Sequence, residues 1–155
     1  MDKATELVRA LARAGKTLAT AESCTGGFLG KQITDVSGSS AVYPGGVISY
    51  CNRVKHEILG VSQADLDAYG AVSEPVARQM AEGVRRVIGA DVGVGITGIA
   101  GPKSDDTNKP VGLVYIGVSD GCATRVERCR FDGDRDQVRR QSCQRAMELI
   151  LELLG

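Results

Sequence analysis

The sequence predicts an α/β fold with helices on both faces of a mixed sheet. Two observations predict it. Amphipathic helical stretches alternate with short apolar, strand-like runs along most of the chain, the pattern of a largely parallel sheet covered by helices. A hairpin signal, Asp120-Gly121, then lies between two apolar runs near the end, which adds antiparallel strands to that sheet.

The elements follow in order. Residues 3–14, "KATELVRALARA", place Leu7, Val8, Leu11 and Ala12 on one helical stripe, and Gly15 stops the helix. Residues 17–21 read as a strand, and a second helix runs from Thr25 to Ile33. "DVSGSSAVYPGG", 35–46, is rich in turn residues and reads as a loop. "VISY", 47–50, reads as a strand, "NRVKHEILG", 52–60, as a short helix closed by Gly60, and "QADLDAYG" as another helical piece. Ser73 suits an N-cap and Pro75 falls in the first turn of a helix that Gly89 ends. "ADVGVGIT", 90–97, reads as a buried strand, followed by the loop "GIAGPKSDDTNKP". Residues 111–131 read as two strands joined at Asp120-Gly121. The last helix, 134–153, turns Val138, Ala146, Leu149, Ile150, Leu153 and Leu154 toward a core.

A chain of 155 residues suits a single domain, 1–155, with a sizeable core. The net charge is zero, so no overall field favours nucleic acid or an anionic membrane. The basic cluster "RRQSCQR", 139–145, reads as a solvated helix face. No apolar run approaches the ~18 residues of a membrane span, and "MDKATELVRA" lacks the apolar centre of a signal peptide. A cytoplasmic location is expected. Five cysteines without a CxxC pair, and a single histidine, His56, suggest neither a disulfide framework nor a metal site, and no cofactor is expected.

Ligands of open α/β sheets gather at the carboxyl ends of strands. Three predicted strand ends carry polar residues: "ESCTGG", Tyr50 with "CNRVK", and Thr97 with "GIAGP". These loops line one cleft if their strands are parallel and adjacent. In "TAESCTGG" a serine on a strand-to-helix turn is exposed beside free helix N–H groups, with glycines that allow close backbone approach. The same pattern is also ordinary helix-cap chemistry for Ser23, and by itself it favours the cap. The spacing of a phosphate-binding P-loop is absent. A nucleophilic Ser23 needs a base. Lys55 and His56 are the candidates, and a lysine serves only when desolvation or a nearby cation keeps it neutral. Tyr50, five residues before Lys55 in the sequence, would relay the proton or hold the amine.

In this order "TAESCTGG", "GSSAVY", "VISYCNRVKHEILGV", "GAVSEPVARQMAEG", "GITGIAGP", "KPVG" and "FDGDRDQVRRQ" resemble the CinA C-terminal domain family, also called the PncC or nicotinamide-nucleotide amidase family. The resemblance runs from about residue 5 to the end. It implies a three-layer αβα sandwich with a mixed central sheet. It also implies hydrolysis of the carboxamide of nicotinamide mononucleotide to nicotinate mononucleotide and ammonia, in pyridine nucleotide salvage, by a Ser-Lys mechanism. Larger family members carry an N-terminal pyrophosphatase-like domain, and this chain resembles the stand-alone form.

The resemblance makes Ser23 the nucleophile, Lys55 the general base and Tyr50 its assistant. Backbone N–H groups from Cys24 through Thr25 and Gly26 to Gly27 hold the oxyanion. Ser40 and Thr97 line the site, and Arg135 or Arg139 meets the substrate phosphate, for which a planar guanidinium at a helix start is well suited. A homo-oligomer is implied. One stretch departs from the family pattern: "KSDDTN" stands where glycines are usual, and it adds Asp105 and Asp106. Two alternatives stay open: a cysteine amidase with Cys24 as nucleophile and His56 as base, or a non-catalytic nucleotide-binding or assembly module partnering a CinA-type pyrophosphatase domain.

Overall fold

The computed structural model describes residues 1–104 and 107–155. Asp105 and Asp106, the carboxylates of the departing loop, lie outside the described residues. The elements are α1 (Lys3–Ala14), β1 (Leu18–Glu22), α2 (Phe28–Thr34), β2 (Gly45–Ile48), α3 (Asn52–Glu57), α4 (Gln63–Tyr69), α5 (Glu74–Ile88), β3 (Val92–Gly98), β4 (Leu113–Ser119), β5 (Thr124–Arg130) and α6 (Arg135–Leu154), with a short 3-10 turn at Ser39–Ala41. The strands form one sheet in the order β2-β1-β3-β4-β5. β1 runs parallel to both β2 and β3, and the last two pairings are antiparallel.

Two apolar layers sandwich this sheet. On one face Leu18, Val92, Val94, Ile96, Val114 and Ile116 meet Leu7 and Leu11 of α1 and Val138, Ala146 and Ile150 of α6. On the other, Ala19 and Ala21 meet Val76, Met80 and Val84 of α5, with Leu59, Val61 and Leu66 behind. This is the expected αβα sandwich. α5 lies unusually close to the sheet because β3 and β4 present glycines to it. A Cβ on Gly93 would come within 2.2 Å of the Ala81 carbonyl oxygen, and one on Gly117 within 2.6 Å of that of Ala77.

Several boundaries differ from those the sequence predicts. The second helix begins at Phe28 rather than Thr25, because Gly26 and Gly27 both adopt positive φ and hold residues 23–27 in a turn. β2 ends at Ile48, so Tyr50 stands beyond the strand. Ser73 occupies the N-cap position of α5, but its hydroxyl turns back to the Gly70 carbonyl at 2.8 Å. The hairpin closes over four residues, 120–123, with the Asp120 carboxylate accepting from the N–H groups of Cys122 and Ala123. Ala12 faces solvent and Ala4 takes its place in the core, about two turns nearer the start of α1.

Close contact between α5 and the sheet is testable at Gly95, where a Cβ would meet Met80 Cβ at 2.7 Å and the Ala81 nitrogen at 2.8 Å. Gly95→Ala should lower the unfolding free energy in urea by about 1–3 kcal/mol, the usual cost of overpacking. The backbone has no free space through which to relieve it.

Candidate active site

Parallel pairing aligns the carboxyl ends of β2, β1 and β3. Glu22 pairs with Ile48 on one side and Ile96 on the other, so the next residues, Ser49, Ser23 and Thr97, stand in a row. Backbone bonds extend the ladder past the strand ends, from Ser49 N–H to the Glu22 carbonyl at 2.8 Å and from Ser23 N–H to the Ile96 carbonyl at 3.1 Å. All three side chains project toward α5, as do Val47, Ala21 and Gly95 two residues earlier.

Lys55 reaches this row from α3. It is 1% exposed, and its Nζ donates to Ser23 Oγ at 3.0 Å and to the Ser49 carbonyl at 2.7 Å, with the Tyr50 carbonyl at 3.4 Å. No carboxylate pairs with it among the described residues. Burial therefore dominates and pushes the amine from its ordinary 10.5 down to about 8. The sequence pairs Ser23 with Lys55, and the structure brings them into hydrogen-bond contact.

The turn that carries Ser23 is organised by Glu22, a residue the sequence reading missed. Its buried carboxylate accepts from Thr25 Oγ1 at 2.7 Å, Leu29 N–H at 2.9 Å and Gly30 N–H at 2.9 Å. Glu22 thus does for α2 what Ser23 would do as an N-cap, and the serine hydroxyl is released to Lys55. The available signal was a carboxylate ending an otherwise apolar strand, followed within a turn by helix N–H groups. Gly26 N–H closes the turn on the Ser23 carbonyl at 3.1 Å. The N–H groups of Cys24, Thr25 and Gly27 have no acceptor among the described residues.

Other expected residues fall into three groups. Arg139 and Arg135 come to the site from the start of α6. Arg139 Nε donates to the Cys24 carbonyl at 2.8 Å, while Arg135 bridges the Gly101 carbonyl at 2.6 Å and the Tyr50 hydroxyl at 3.3 Å. Thr97 stands beside Ser23, and its hydroxyl donates to the Ala71 carbonyl at 2.9 Å, anchoring the loop before α5. Tyr50 meets Lys55 only through its main-chain carbonyl: the residue is 63% exposed and its hydroxyl engages Arg135, not the amine. The proton relay expected of that hydroxyl therefore has no hydrogen bond to run along. Ser40 is exposed within the 3-10 turn, which joins the opposite, amino end of β1 through the bond from Leu18 N–H to the Val42 carbonyl. Within this chain it does not line the site, because the loop 35–46 returns the chain to the start of the strand.

Cys24 is poorly suited to act as a nucleophile. Burial pushes its thiol up to about 12, and the His56 ring is held by the Val61 carbonyl at 2.7 Å. The larger concavities also lie elsewhere. A cleft of about 490 Å³ opens between α1, α2 and α6, and one of about 450 Å³ lies by the β4–β5 hairpin; a smaller depression of about 270 Å³ beside the turn is lined by Glu22, Gly27, Tyr43 and Ile48 but not by Ser23 or Lys55. Hydrogen-bond chemistry, rather than cavity size, marks the strand ends as the site. No cluster of metal-ligating side chains occurs among the described residues, nor is any helix there long and apolar enough to cross a membrane.

A three-layer α/β domain with a buried serine–lysine pair at parallel strand ends is the class this fold and site define. The chain belongs to the CinA C-terminal domain family, whose model matches residues 1–154. It is 46% identical over 148 residues to a competence-damage inducible protein of Caldanaerobacter subterraneus subsp. tengcongensis, covering 96% of this chain and 36% of that protein. It is 49% identical over 144 residues to a CinA-like protein of Anaeromyxobacter dehalogenans, covering 93% of this chain and 35% of that one. The chain thus spans about a third of the length of these curated relatives. Among solved structures, a CinA superfamily protein from Klebsiella pneumoniae superposes with a TM-score of 0.95 at 34% identity, covering 98% of this chain and 95% of that one. A competence/damage inducible protein from Agrobacterium tumefaciens gives 0.93 at 35% identity, over 100% and 98%.

Two measurements check this geometry. Glu22→Ala should cost about 2–4 kcal/mol in chemical denaturation, since it strands two buried donors and a part-buried one. The second concerns Lys55, whose amine titrates near 8 in the folded protein and near 10.5 when unfolded. Between those values the unfolded chain binds more protons, so stability relative to Lys55→Met is highest above pH 10.5. It should fall by about 3 kcal/mol as the pH drops to 8, and stay level below.

Proposed function

We propose that the protein hydrolyses the carboxamide of nicotinamide mononucleotide, releasing ammonia and nicotinate mononucleotide, with Ser23 as nucleophile and Lys55 as general base. The observation that carries this reading is the buried Ser23–Lys55 hydrogen bond with no carboxylate beside it among the described residues. The family likeness supports it.

A neutral amine has two N–H donors and one lone pair. Donation to the Ser49 and Tyr50 carbonyls aims the lone pair at the Ser23 hydroxyl. With a midpoint near 8, roughly a tenth of the amine is neutral at pH 7. Lys55 takes the Ser23 proton directly as the serine oxygen bonds to the amide carbon. The carbonyl electron pair moves onto oxygen and is met by the N–H groups of Cys24, Thr25 and Gly27, where loss of one donor typically costs ~10²–10³ in rate. The carbon–nitrogen bond then breaks, Lys55 returns the proton to the leaving nitrogen, and water cleaves the acyl-enzyme. Arg135 and Arg139 are the cations available for the substrate phosphate. The reaction draws on no metal or cofactor.

A second reading is a nucleotide-binding or assembly module that serves a pyrophosphatase domain; it is favoured by the much greater length of the curated relatives. Tight binding of nicotinamide mononucleotide without ammonia release would support it.

Ser23→Ala and Lys55→Met should fold yet lose at least ~10³-fold of ammonia release from nicotinamide mononucleotide. Wild-type turnover by folded Ser23→Ala would remove the proposal. kcat/KM should rise with pH and level off above about 8, as Lys55 loses its proton. Arg135→Gln should raise KM for the phosphorylated substrate about tenfold while leaving the unphosphorylated riboside unaffected.

A further inference from the structure

Ser49 is fully buried, and its Oγ has no hydrogen-bond partner among the described residues. Its main chain is fully used: the N–H holds the Glu22 carbonyl and the carbonyl accepts from Lys55. Its side chain lies one strand over from Ser23, at the same register and on the same face of the sheet. An unpaired buried hydroxyl costs about 1–3 kcal/mol, and an alanine would fill the same place without that cost. The idle group belongs to the residue whose carbonyl accepts from Lys55, the amine whose hydrogen bonding must change if Ser23 reacts.

Resting on the serine–lysine reading above, we propose that Ser49 is a positioning residue: its hydroxyl accepts a hydrogen bond from the Lys55 ammonium once the Ser23 oxygen is committed to the acyl carbon. With Ser23 free, the three donors of the ammonium are matched by Ser23 Oγ and the carbonyls of Ser49 and Tyr50. When Ser23 Oγ becomes bonded to carbon it is a poor acceptor, and Lys55 at that moment carries the abstracted proton. The third donor then faces an emptied position in a buried site, with no carboxylate at hand among the described residues. Among the described residues two buried side-chain oxygens lack a partner, Gln32 Oε1 and Ser49 Oγ, and Ser49 is the one whose own carbonyl already holds Lys55; rotation about its χ1 turns the hydroxyl without disturbing the strand. No bond is made or broken by Ser49: the proton stays on Lys55 until the leaving nitrogen takes it.

The test removes the Ser23 acceptor and asks whether Ser49 replaces it. The Lys55 titration midpoint is measured by NMR of isotope-labelled lysine in the full chain, for wild type, Ser23→Ala, Ser49→Ala and the double variant, with Ser49→Gly as a second way to delete the hydroxyl. Ser49→Ala is expected to move the midpoint little when Ser23 is present, and to lower it by about half a pH unit or more in the Ser23→Ala background. Equal shifts in both backgrounds would overturn the proposal. The readout needs no turnover, so it decides the role of Ser49 even if wild type releases no ammonia from nicotinamide mononucleotide, a result that would refute the amidase reading alone.

Discussion

Burial of a primary amine without a counter-charge is the constraint around which the strand ends are arranged. Water and a carboxylate are the two ordinary ways to satisfy a lysine, and among the described residues Lys55 has no carboxylate partner and almost no exposure. What holds it instead are neutral oxygens at fixed positions: a serine hydroxyl and two main-chain carbonyls. Neutral acceptors satisfy the donors without stabilising the positive charge as a carboxylate would, and this keeps the amine within reach of deprotonation. The arrangement depends on parallel pairing of β1 with β2, which sets Ser23 and Ser49 side by side, and on α5 closing one face of the sheet through its glycine-lined contact.

The serine is freed for this partnership by a division of labour within a few residues. Glu22 faces the α2 side of the sheet and takes over the helix start; Ser23, the next residue, faces the other side and meets the lysine. Alternation of side chains along a strand makes this possible, since adjacent residues serve opposite layers. The two glycines at positive φ then hold the turn open and leave three N–H groups without acceptors among the described residues. Arg139 of α6 grips the same turn from the α2 side, and Arg135 links the Gly101 loop to Tyr50. Three loops and the start of one helix are thereby tied together around the serine.

Much of the fold was legible locally, because periodicity and punctuation are short-range properties. The stripe of Leu7, Val8 and Leu11, the stop at Gly15, the proline in the first turn of α5 and the Asp120-Gly121 turn each belong to a few neighbouring residues. Errors arose where a distant group intervened. The cap that "TAESCTGG" favours by itself gives way to the neighbouring Glu22 carboxylate, which reaches across the turn to α2. Tyr50 looked like a relay because its spacing to Lys55 is right, but the spacing does not say whether the carbonyl or the hydroxyl will point inward. Ser40 belongs to a motif of the family, but the chain carries it to the opposite end of β1.

The sequence by itself determined the α/β class and the order of most elements, since residue types and motif order suffice for these, and its family resemblance pointed to Ser23 and Lys55 as partners. Only the tertiary structure decided that the amine is buried without a carboxylate among the described residues, that Glu22 rather than Ser23 starts α2, and that Ser49 stands idle beside the pair. The burial of the amine and the place of Ser49 depend on strand register and on which groups are excluded from water, both set by contacts between segments far apart in the chain, whereas Glu22 acts seven and eight residues along, through a turn whose shape the sequence does not spell out.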